Sequence, residues 1–220
     1  MAFERGIDTV VFDFDGTIMD TNKVIMLSWQ YTYNKLRGHD GDEEFILSTF
    51  GEPLEYSMSH MFPEVPVDEA VAVYRSYHRS NFGSLIELFP GAKEMVAKVK
   101  AQGYKTGLAT SRVHKTTMQG LEKFGLKEYF DAIVTVEEVT KSKPDPEFLM
   151  VTLDRLGSVP EKTVMLGDTR FDILCARNAG ATSVLVGWSA ALAGKKIEDF
   201  APGEAPDYII QKPEDLFDII

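Results

Sequence analysis

The sequence predicts an α/β fold, in which a parallel sheet carries helices on both faces and a helical unit is inserted after the first strand. Short runs of β-branched and other apolar residues recur along the chain and alternate with stretches of helical spacing, an alternation typical of parallel sheets. One long segment near the N-terminus has helical periodicity and no clear strand. Hydrophobic residues make up 44% of the 220 residues, which is enough to fill a core.

The run Thr9–Phe12 is followed directly by Asp13 and has the continuous apolar character of a strand that is buried on both faces. Five later runs share this character: Lys105–Ala109, Ala132–Val136, Thr163–Leu166, Ser183–Val186 and Tyr208–Ile210. Between the runs, apolar residues recur at helical spacing, as in Leu149, Leu153 and Leu156. Strands that alternate with helices in this way pair in parallel, because each helix carries the chain back to the start of the next strand.

The segment 19–85 departs from this alternation. It holds amphipathic stretches such as Val24–Leu36 and Glu69–Phe82, and a Pro-Gly pair typical of turns follows it closely. We therefore assign residues 1–18 and 86–220 to a domain that contains the sheet, and residues 19–85 to an inserted helical domain.

Composition and charge exclude several classes of partner. Asp and Glu outnumber Lys and Arg by 34 to 23, and the formal net charge of -11 repels nucleic acid and anionic membrane surfaces. No apolar run approaches the about 20 residues that cross a bilayer, and residues 1–8 lack the apolar core of a signal peptide. Cys175 is the single cysteine, so nothing points to an oxidising compartment. We expect a cytoplasmic protein with no nucleic-acid or membrane partner, either a monomer or a homodimer.

Four acidic residues follow predicted strands. Asp13 and Asp15 come after the first strand, and Asp168 and Asp172 come after the strand that ends at Leu166. Because ligands bind at the carboxyl ends of the strands in open α/β sheets, we expect these side chains to meet there. Carboxylates that meet repel one another unless a cation offsets their charge or some of them stay protonated. Oxygen ligands of this kind suit Mg²⁺, which also takes water and substrate phosphate, so the sequence predicts a magnesium and phosphate site.

Two further segments carry groups that bind phosphate. Thr110 and Ser111 follow the strand that ends at Ala109, where a hydroxyl and the amides that open the next helix can hold phosphate oxygens. Lys143 precedes a helix and supplies a positive charge, and the following proline restricts its backbone. Lys141 competes for this role. Each residue taken alone also fits a structural role, Thr110 as a helix N-cap and Lys143 as a solvated surface residue.

The chain resembles the haloacid dehalogenase superfamily of phosphatases over nearly its whole length. Four segments carry the resemblance, in the order and strand context of that superfamily: Asp13-Phe14-Asp15-Gly16-Thr17, Thr110, Lys143-Pro144 and Gly167-Asp168-Thr169-Arg170-Phe171-Asp172. The resemblance is greatest to phosphoglycolate phosphatases and bacterial pyrophosphatases, with β-phosphoglucomutases as cousins. It implies a Rossmann-like catalytic core with residues 19–85 as a helical cap.

The resemblance also implies a catalytic role for each matching position. The Asp13 carboxylate would attack phosphorus and form an aspartyl-phosphate intermediate, while Asp15 would protonate the leaving oxygen and later deprotonate the hydrolytic water. Thr110, Ser111 and Lys143 would position and neutralise the phosphoryl oxygens of a small phosphorylated substrate.

The same resemblance implies the ligands of the metal. Mg²⁺ would be held by Asp13, by the backbone carbonyl of Asp15 and by Asp168, with Asp172 acting directly or through water. The expected activity is therefore Mg²⁺-dependent hydrolysis of a phosphate ester or anhydride.

Three other functions are conceivable for a chain with this resemblance. Dehalogenation is disfavoured, because the dehalogenases of the superfamily lack an acid two residues after the nucleophile, where this chain has Asp15. A sugar phosphomutase needs a cation for a second phosphate, yet residues 38–74 contain no Lys or Arg, so that Arg75, Arg79 or another cation would have to reach inward. A catalytically silent metabolite-binding protein is the third alternative, and the intact acidic motifs argue against it.

Overall fold

The computed structural model describes residues 6–190 and 192–220, and the chain divides into two compact units. Of the described residues, the first unit contains 6–20 and those from Leu88 onward, and the second is Thr21–Glu87. The strands are β1 Thr9–Phe12, β2 Met19–Asp20, β3 Glu87–Leu88, β4 Lys105–Ala109, β5 Ala132–Val134, β6 Thr163–Gly167, β7 Thr182–Val186 and β8 Tyr208–Ile210. The α-helices are α1 Asn22–Arg37, α2 Glu43–Ser48, α3 Leu54–Met61, α4 Val67–Leu85, α5 Ala92–Ala101, α6 His114–Phe124, α7 Glu147–Leu156 and α8 Arg170–Ala179.

Six strands of the first unit form one parallel sheet in the order β5-β4-β1-β6-β7-β8. β1 lies near the middle, where Phe12 pairs with Leu108 of β4 and with Leu166 of β6. Every residue of β1 is buried. Because successive side chains of a strand point to opposite faces, both faces of the sheet are covered. The α/β class predicted from the sequence is confirmed.

Helices α7 and α8 pack against the sheet and hold its central strands in place. α7 contacts β4 and β5, and α8 contacts β6 and β7. Their buried apolar side chains, such as Phe148 and Ala176, form one core with Val11 and Met165 of the sheet. Since burying one large apolar side chain contributes roughly 1.5–3 kcal/mol, this core holds the central strands, and with them the loops that follow, in place.

The ends of some elements differ from the predicted ones. β5 stops at Val134 instead of Val136, because Thr135 begins a 3-10 turn in which its side chain and that of Glu138 form a capping box. β2 and β3 form a short two-stranded sheet where the chain enters and leaves the second unit, although no strand is apparent there from the sequence. Strands of two residues are too short to give a hydrophobic periodicity.

The second unit consists of α1 to α4. α1 and α3 both pack against α4, and α2 packs against α1. Aromatic contacts dominate its core: the ring centroids of Trp29 and Tyr74 lie 5.1 Å apart, and those of Tyr33 and Phe62 lie 4.8 Å apart. None of the helices in the described ranges has the length and apolar character needed to cross a membrane.

Candidate active site

The site residues predicted from the sequence lie at the carboxyl edge of the parallel sheet. Asp13 directly follows β1, Thr110 follows β4 and Asp168 follows β6, and these three strands are neighbours. Lys143 comes from the loop before α7, and Asp172 comes from the first turn of α8. Segments far apart in the sequence therefore converge on one edge.

Asp13, Asp168 and Asp172 form a buried carboxylate cluster. One oxygen of each lies within 4.8 Å of the others, and the three residues are 7%, 6% and 4% exposed. The Lys143 Nζ donates to Asp13 Oδ1 at 2.7 Å, to Asp172 Oδ1 at 2.6 Å and to the carbonyl oxygen of Ala109 at 2.9 Å. An ammonium group has three N–H donors, so all the donors of Lys143 are used.

The carboxylate oxygens of this cluster differ in their hydrogen bonding. Asp172 Oδ2 accepts from the Thr169 amide at 3.1 Å and from its hydroxyl at 2.7 Å, so both oxygens of Asp172 are engaged. Asp168 Oδ2 accepts from the Ser189 hydroxyl at 2.6 Å. Asp13 Oδ2 and Asp168 Oδ1 accept no hydrogen bond from the residues that the structure describes. These two oxygens are the ones left to face a cation or a substrate.

Burial and charge shift the proton affinities of the cluster. Burial raises the pKa of Asp13 to about 8; the nearby Lys143 opposes this shift, and Asp172 adds to it. Burial and the neighbouring carboxylate of Asp172 raise the pKa of Asp168 well above its usual range. For Lys143, burial acts to lower the pKa, but Asp13 and Asp172 outweigh it and raise the pKa. Three carboxylates thus share one ammonium group, and their set of oxygen donors fits a hard divalent cation.

Two glycines let the carboxylates lie this close to the backbone. Gly16 has φ +71°, and a Cβ atom there would lie 1.9 Å from Asp168 Oδ2. At Gly167 a Cβ atom would lie 2.1 Å from the Cβ of Asp172. Any other residue at either position would push an acid of the cluster aside.

Asp15 lies beside the cluster and pairs with Arg112. The Nε of Arg112 donates to both carboxylate oxygens, at 3.1 and 2.9 Å, and one terminal nitrogen donates to Oδ1 at 2.8 Å. The Asp15 side chain is 28% exposed, more than any member of the cluster. Thr110 is buried, and its hydroxyl oxygen accepts from the Arg112 amide at 3.2 Å. Thr110, Arg112 and Asp15 are therefore linked.

The remaining candidates lie outside the cluster. Ser111 is exposed in the loop after β4. The Lys141 side chain is 67% exposed and pairs with Asp145 at 3.2 Å. Of the two competing lysines, Lys143 is the one that contacts the carboxylates.

Sequence reasoning missed the loop after β7. Ser189 is buried there and donates to Asp168, and the indole Nε1 of Trp188 donates to the carbonyl oxygen of Thr17 at 3.0 Å. The available signal was position, because this loop also leaves the carboxyl end of a strand, next to β6 in the sheet.

One protein-family profile and several known proteins match this sequence. Residues 10–186 match the profile of the haloacid dehalogenase-like hydrolase family. The pyrophosphatase PpaX of Halalkalibacterium halodurans is 36% identical over 214 residues, which cover 97% of each chain, and that of Bacillus mycoides is 34% identical with the same coverage.

Solved structures of the same fold also match this chain. A hydrolase of the haloacid dehalogenase-like family from Streptococcus pneumoniae superposes with a TM-score of 0.84 at 26% identity, over 97% of this chain and 98% of its own. The chain therefore belongs to the haloacid dehalogenase-like hydrolase family, as a phosphatase of that family.

Proposed function

We propose that the chain is a Mg²⁺-dependent phosphohydrolase that removes the phosphoryl group of a small metabolite through an aspartyl-phosphate on Asp13. The observation that carries this proposal is the carboxylate cluster, which surrounds one lysine at the carboxyl edge of the sheet. Two relatives that match almost end to end are named pyrophosphatases. Inorganic pyrophosphate is accordingly the first substrate to test, with phosphoglycolate as the second.

The first chemical step transfers the phosphoryl group to the protein. An oxygen of Asp13 forms a bond to phosphorus while the bond from phosphorus to the leaving oxygen breaks. The carboxyl group of Asp15 gives its proton to that oxygen, so the leaving group departs neutralised. Lys143 lies 2.7 Å from Asp13 and holds this carboxylate in place beside the incoming phosphoryl oxygens.

The second step releases phosphate. The carboxylate of Asp15 takes a proton from water while the water oxygen bonds to phosphorus and the bond between phosphorus and Asp13 breaks. Asp15 ends protonated and Asp13 ends as a free carboxylate, which restores the starting state. The hydroxyl of Thr110 and the backbone at Ser111 belong to the loop after β4 and contribute hydrogen bonds to the phosphoryl oxygens.

The cluster fits a divalent cation because its three carboxyl groups face a single ammonium group, that of Lys143. Asp13, Asp168 and the backbone carbonyl of Asp15 would hold Mg²⁺, and Asp172, whose two oxygens already accept hydrogen bonds, would act through water. When bound, the ion supplies neutralisation of the developing charge on the phosphoryl oxygens.

We further propose that residues 19–85 form a cap domain that selects the substrate. Its charges disfavour the mutase alternative, since residues 38–74 hold no Lys or Arg. Of the two arginines that could supply the missing cation, Arg79 is exposed and Arg75 donates to Glu55 at 2.8 Å. Arg37, from the first helix of this segment, donates to Glu64. A second phosphate group would have to compete with these glutamates for Arg75 or Arg37.

The proposed activity predicts phosphate release from pyrophosphate, phosphoglycolate or 4-nitrophenyl phosphate in the presence of Mg²⁺. Removing the metal with EDTA should lower the rate by about 100-fold or more, and added Mg²⁺ should restore it. A colorimetric assay of free phosphate measures this. A mutase would instead isomerise a sugar phosphate and need priming by a bisphosphate, whereas a binding protein would release no phosphate from any compound.

The raised pKa of Asp13 predicts how Mg²⁺ changes stability with pH. In the metal-free folded chain Asp13 binds its proton up to about pH 8, whereas in the unfolded chain it loses the proton near its ordinary value of 3.8. The folded state therefore binds more protons between these values, so stability falls as pH rises through this window. Mg²⁺ should offset the loss and therefore raise the Tm more at pH 8 than at pH 5.5. Each kcal/mol gained in the free energy of unfolding should raise the Tm by roughly 2–4 °C. Equal Mg²⁺ shifts at both pH values would contradict this.

A further inference from the structure

The carboxylate of Asp15 is held by an arginine that comes from a distant segment. The side chains of Arg112 and Asp15 are 7% and 28% exposed, and three hydrogen bonds of 2.8–3.1 Å join them. The fork of the guanidinium group matches the two oxygens of a carboxylate, so such a pair fixes the plane of the carboxylate as well as its distance. Both residues belong to the first unit.

Arg112 is itself held in place by several hydrogen bonds. Its amide donates to the Thr110 hydroxyl at 3.2 Å, its carbonyl oxygen accepts from the Val136 amide at 3.2 Å, and a terminal nitrogen lies 3.4 Å from the Thr116 hydroxyl. A long side chain that is buried and anchored in this way has already lost its conformational freedom. It can therefore orient its partner without further ordering when substrate binds.

The hydrogen bonds leave one oxygen of Asp15 open to a proton. Oδ1 accepts two bonds from Arg112, whereas Oδ2 accepts one, and each carboxylate oxygen has two lone pairs. Asp15 is also the most exposed acid of the site. A group that must give a proton to the leaving oxygen and then take one from water needs this combination of a fixed plane and a free lone pair.

We infer that Arg112 is a positioning residue that aims Asp15 at the oxygen of the leaving group. This inference rests on the proposed function, because it assumes that Asp15 transfers the proton. Correct placement of a proton donor contributes most where the leaving group is poor and needs its proton. An arginine that bound the substrate directly would instead change KM for every substrate.

The test compares two esters of similar size, phenyl phosphate and 4-nitrophenyl phosphate, of which the first has the poorer leaving group. For Arg112→Met we expect kcat for phenyl phosphate to fall about 30-fold and kcat for 4-nitrophenyl phosphate to fall less than about 3-fold, with KM little changed. Arg112→Lys should fall between this variant and the wild type, since one ammonium group cannot hold both oxygens. Lys115→Met removes an exposed positive charge three positions away and serves as the control, with both rates unchanged.

A double variant decides whether Arg112 acts through Asp15. Arg112→Met combined with Asp15→Asn should be no slower on phenyl phosphate than Asp15→Asn alone, because the group that Arg112 positions has already been removed. Equal losses on both esters, or losses that multiply in the double variant, would overturn the inference. If Arg112→Met fails to fold by circular dichroism, Arg112→Lys and its own double variant distinguish the same two outcomes. A wild type that releases no phosphate from pyrophosphate, phosphoglycolate or either ester, or an Asp15→Asn variant as fast as wild type, would instead reject the proposed function.

Discussion

Replacing Asp13 by Asn is expected to lower phosphate release by about 10³-fold or more, which is a loss of ~4 kcal/mol of transition-state stabilisation. An amide keeps the shape of the side chain but is a far weaker nucleophile than a carboxylate, so no aspartyl-phosphate forms. It also removes one charge from the carboxylate cluster, and the variant should fold as well as the wild type. Steady-state assays on pyrophosphate and 4-nitrophenyl phosphate measure the loss, and the Tm measures the folding.

Three further measurements make this expectation specific. Asp154→Asn changes an exposed acid on α7 and should leave the rate unchanged. Asp13→Ala cannot deamidate back to aspartate, and its rate separates true residual activity from reversion. Beryllium fluoride with Mg²⁺, which imitates a phosphoryl group on a carboxylate, should raise the Tm of the wild type and not that of Asp13→Ala. Activity within a few-fold of wild type in both Asp13→Asn and Asp13→Ala would remove Asp13 as the nucleophile.

The sheet could be predicted from the sequence because its strands are buried on both faces. A run such as Thr9–Phe12 must be continuously apolar, and this leaves few other interpretations for a stretch of that length. The ends of the strands depend on local hydrogen bonds, and Thr135 shows this by starting a turn where the apolar run continues to Val136. The short strands β2 and β3 carry no pattern of their own, so only the folded chain reveals them.

Part of the candidate site could be predicted for the same reason. Asp13 and Asp168 directly follow the neighbouring strands β1 and β6, so parallel pairing alone brings them to one edge. Their meeting with Lys143 depends on the loop before α7, which topology does not fix. Only the folded chain shows that this loop brings the lysine to the cluster.

The partners of the predicted acids could not be read from the sequence. Arg112 and Asp15 lie 97 positions apart, and Ser189 and Asp168 lie 21 positions apart. Each pair depends on the path of a loop and on one side-chain rotamer, and neither leaves a periodic signal. Strand order limits the choice to residues at the carboxyl edge but does not say which of them touch.

Replacing Lys143 by Met is expected to impair both stability and activity. The residue is 5% exposed, and its ammonium group donates to two buried carboxylates and a carbonyl oxygen. Removing one partner of a buried ion pair leaves uncompensated charge, which costs about 3 kcal/mol or more. We expect a Tm lower by about 6 °C or more in EDTA, part of which Mg²⁺ restores by offsetting the same charge. The rate should fall by about 10²-fold or more even with saturating Mg²⁺, since the phosphoryl oxygens lose a fixed cation.

Lys141→Met provides the matched control, because it removes the same charge two positions away. Lys141 is exposed and pairs with Asp145 on the surface, so its loss should change stability by less than about 1 kcal/mol and leave the rate unchanged. Lys143→Met combined with Asp172→Asn removes both members of a buried pair and should recover part of the Tm but none of the activity, which separates catalysis from folding. A Lys143→Met enzyme that folds and retains most of its rate, or a Lys141→Met enzyme that loses it, would show that the cation beside the phosphoryl group is not Lys143.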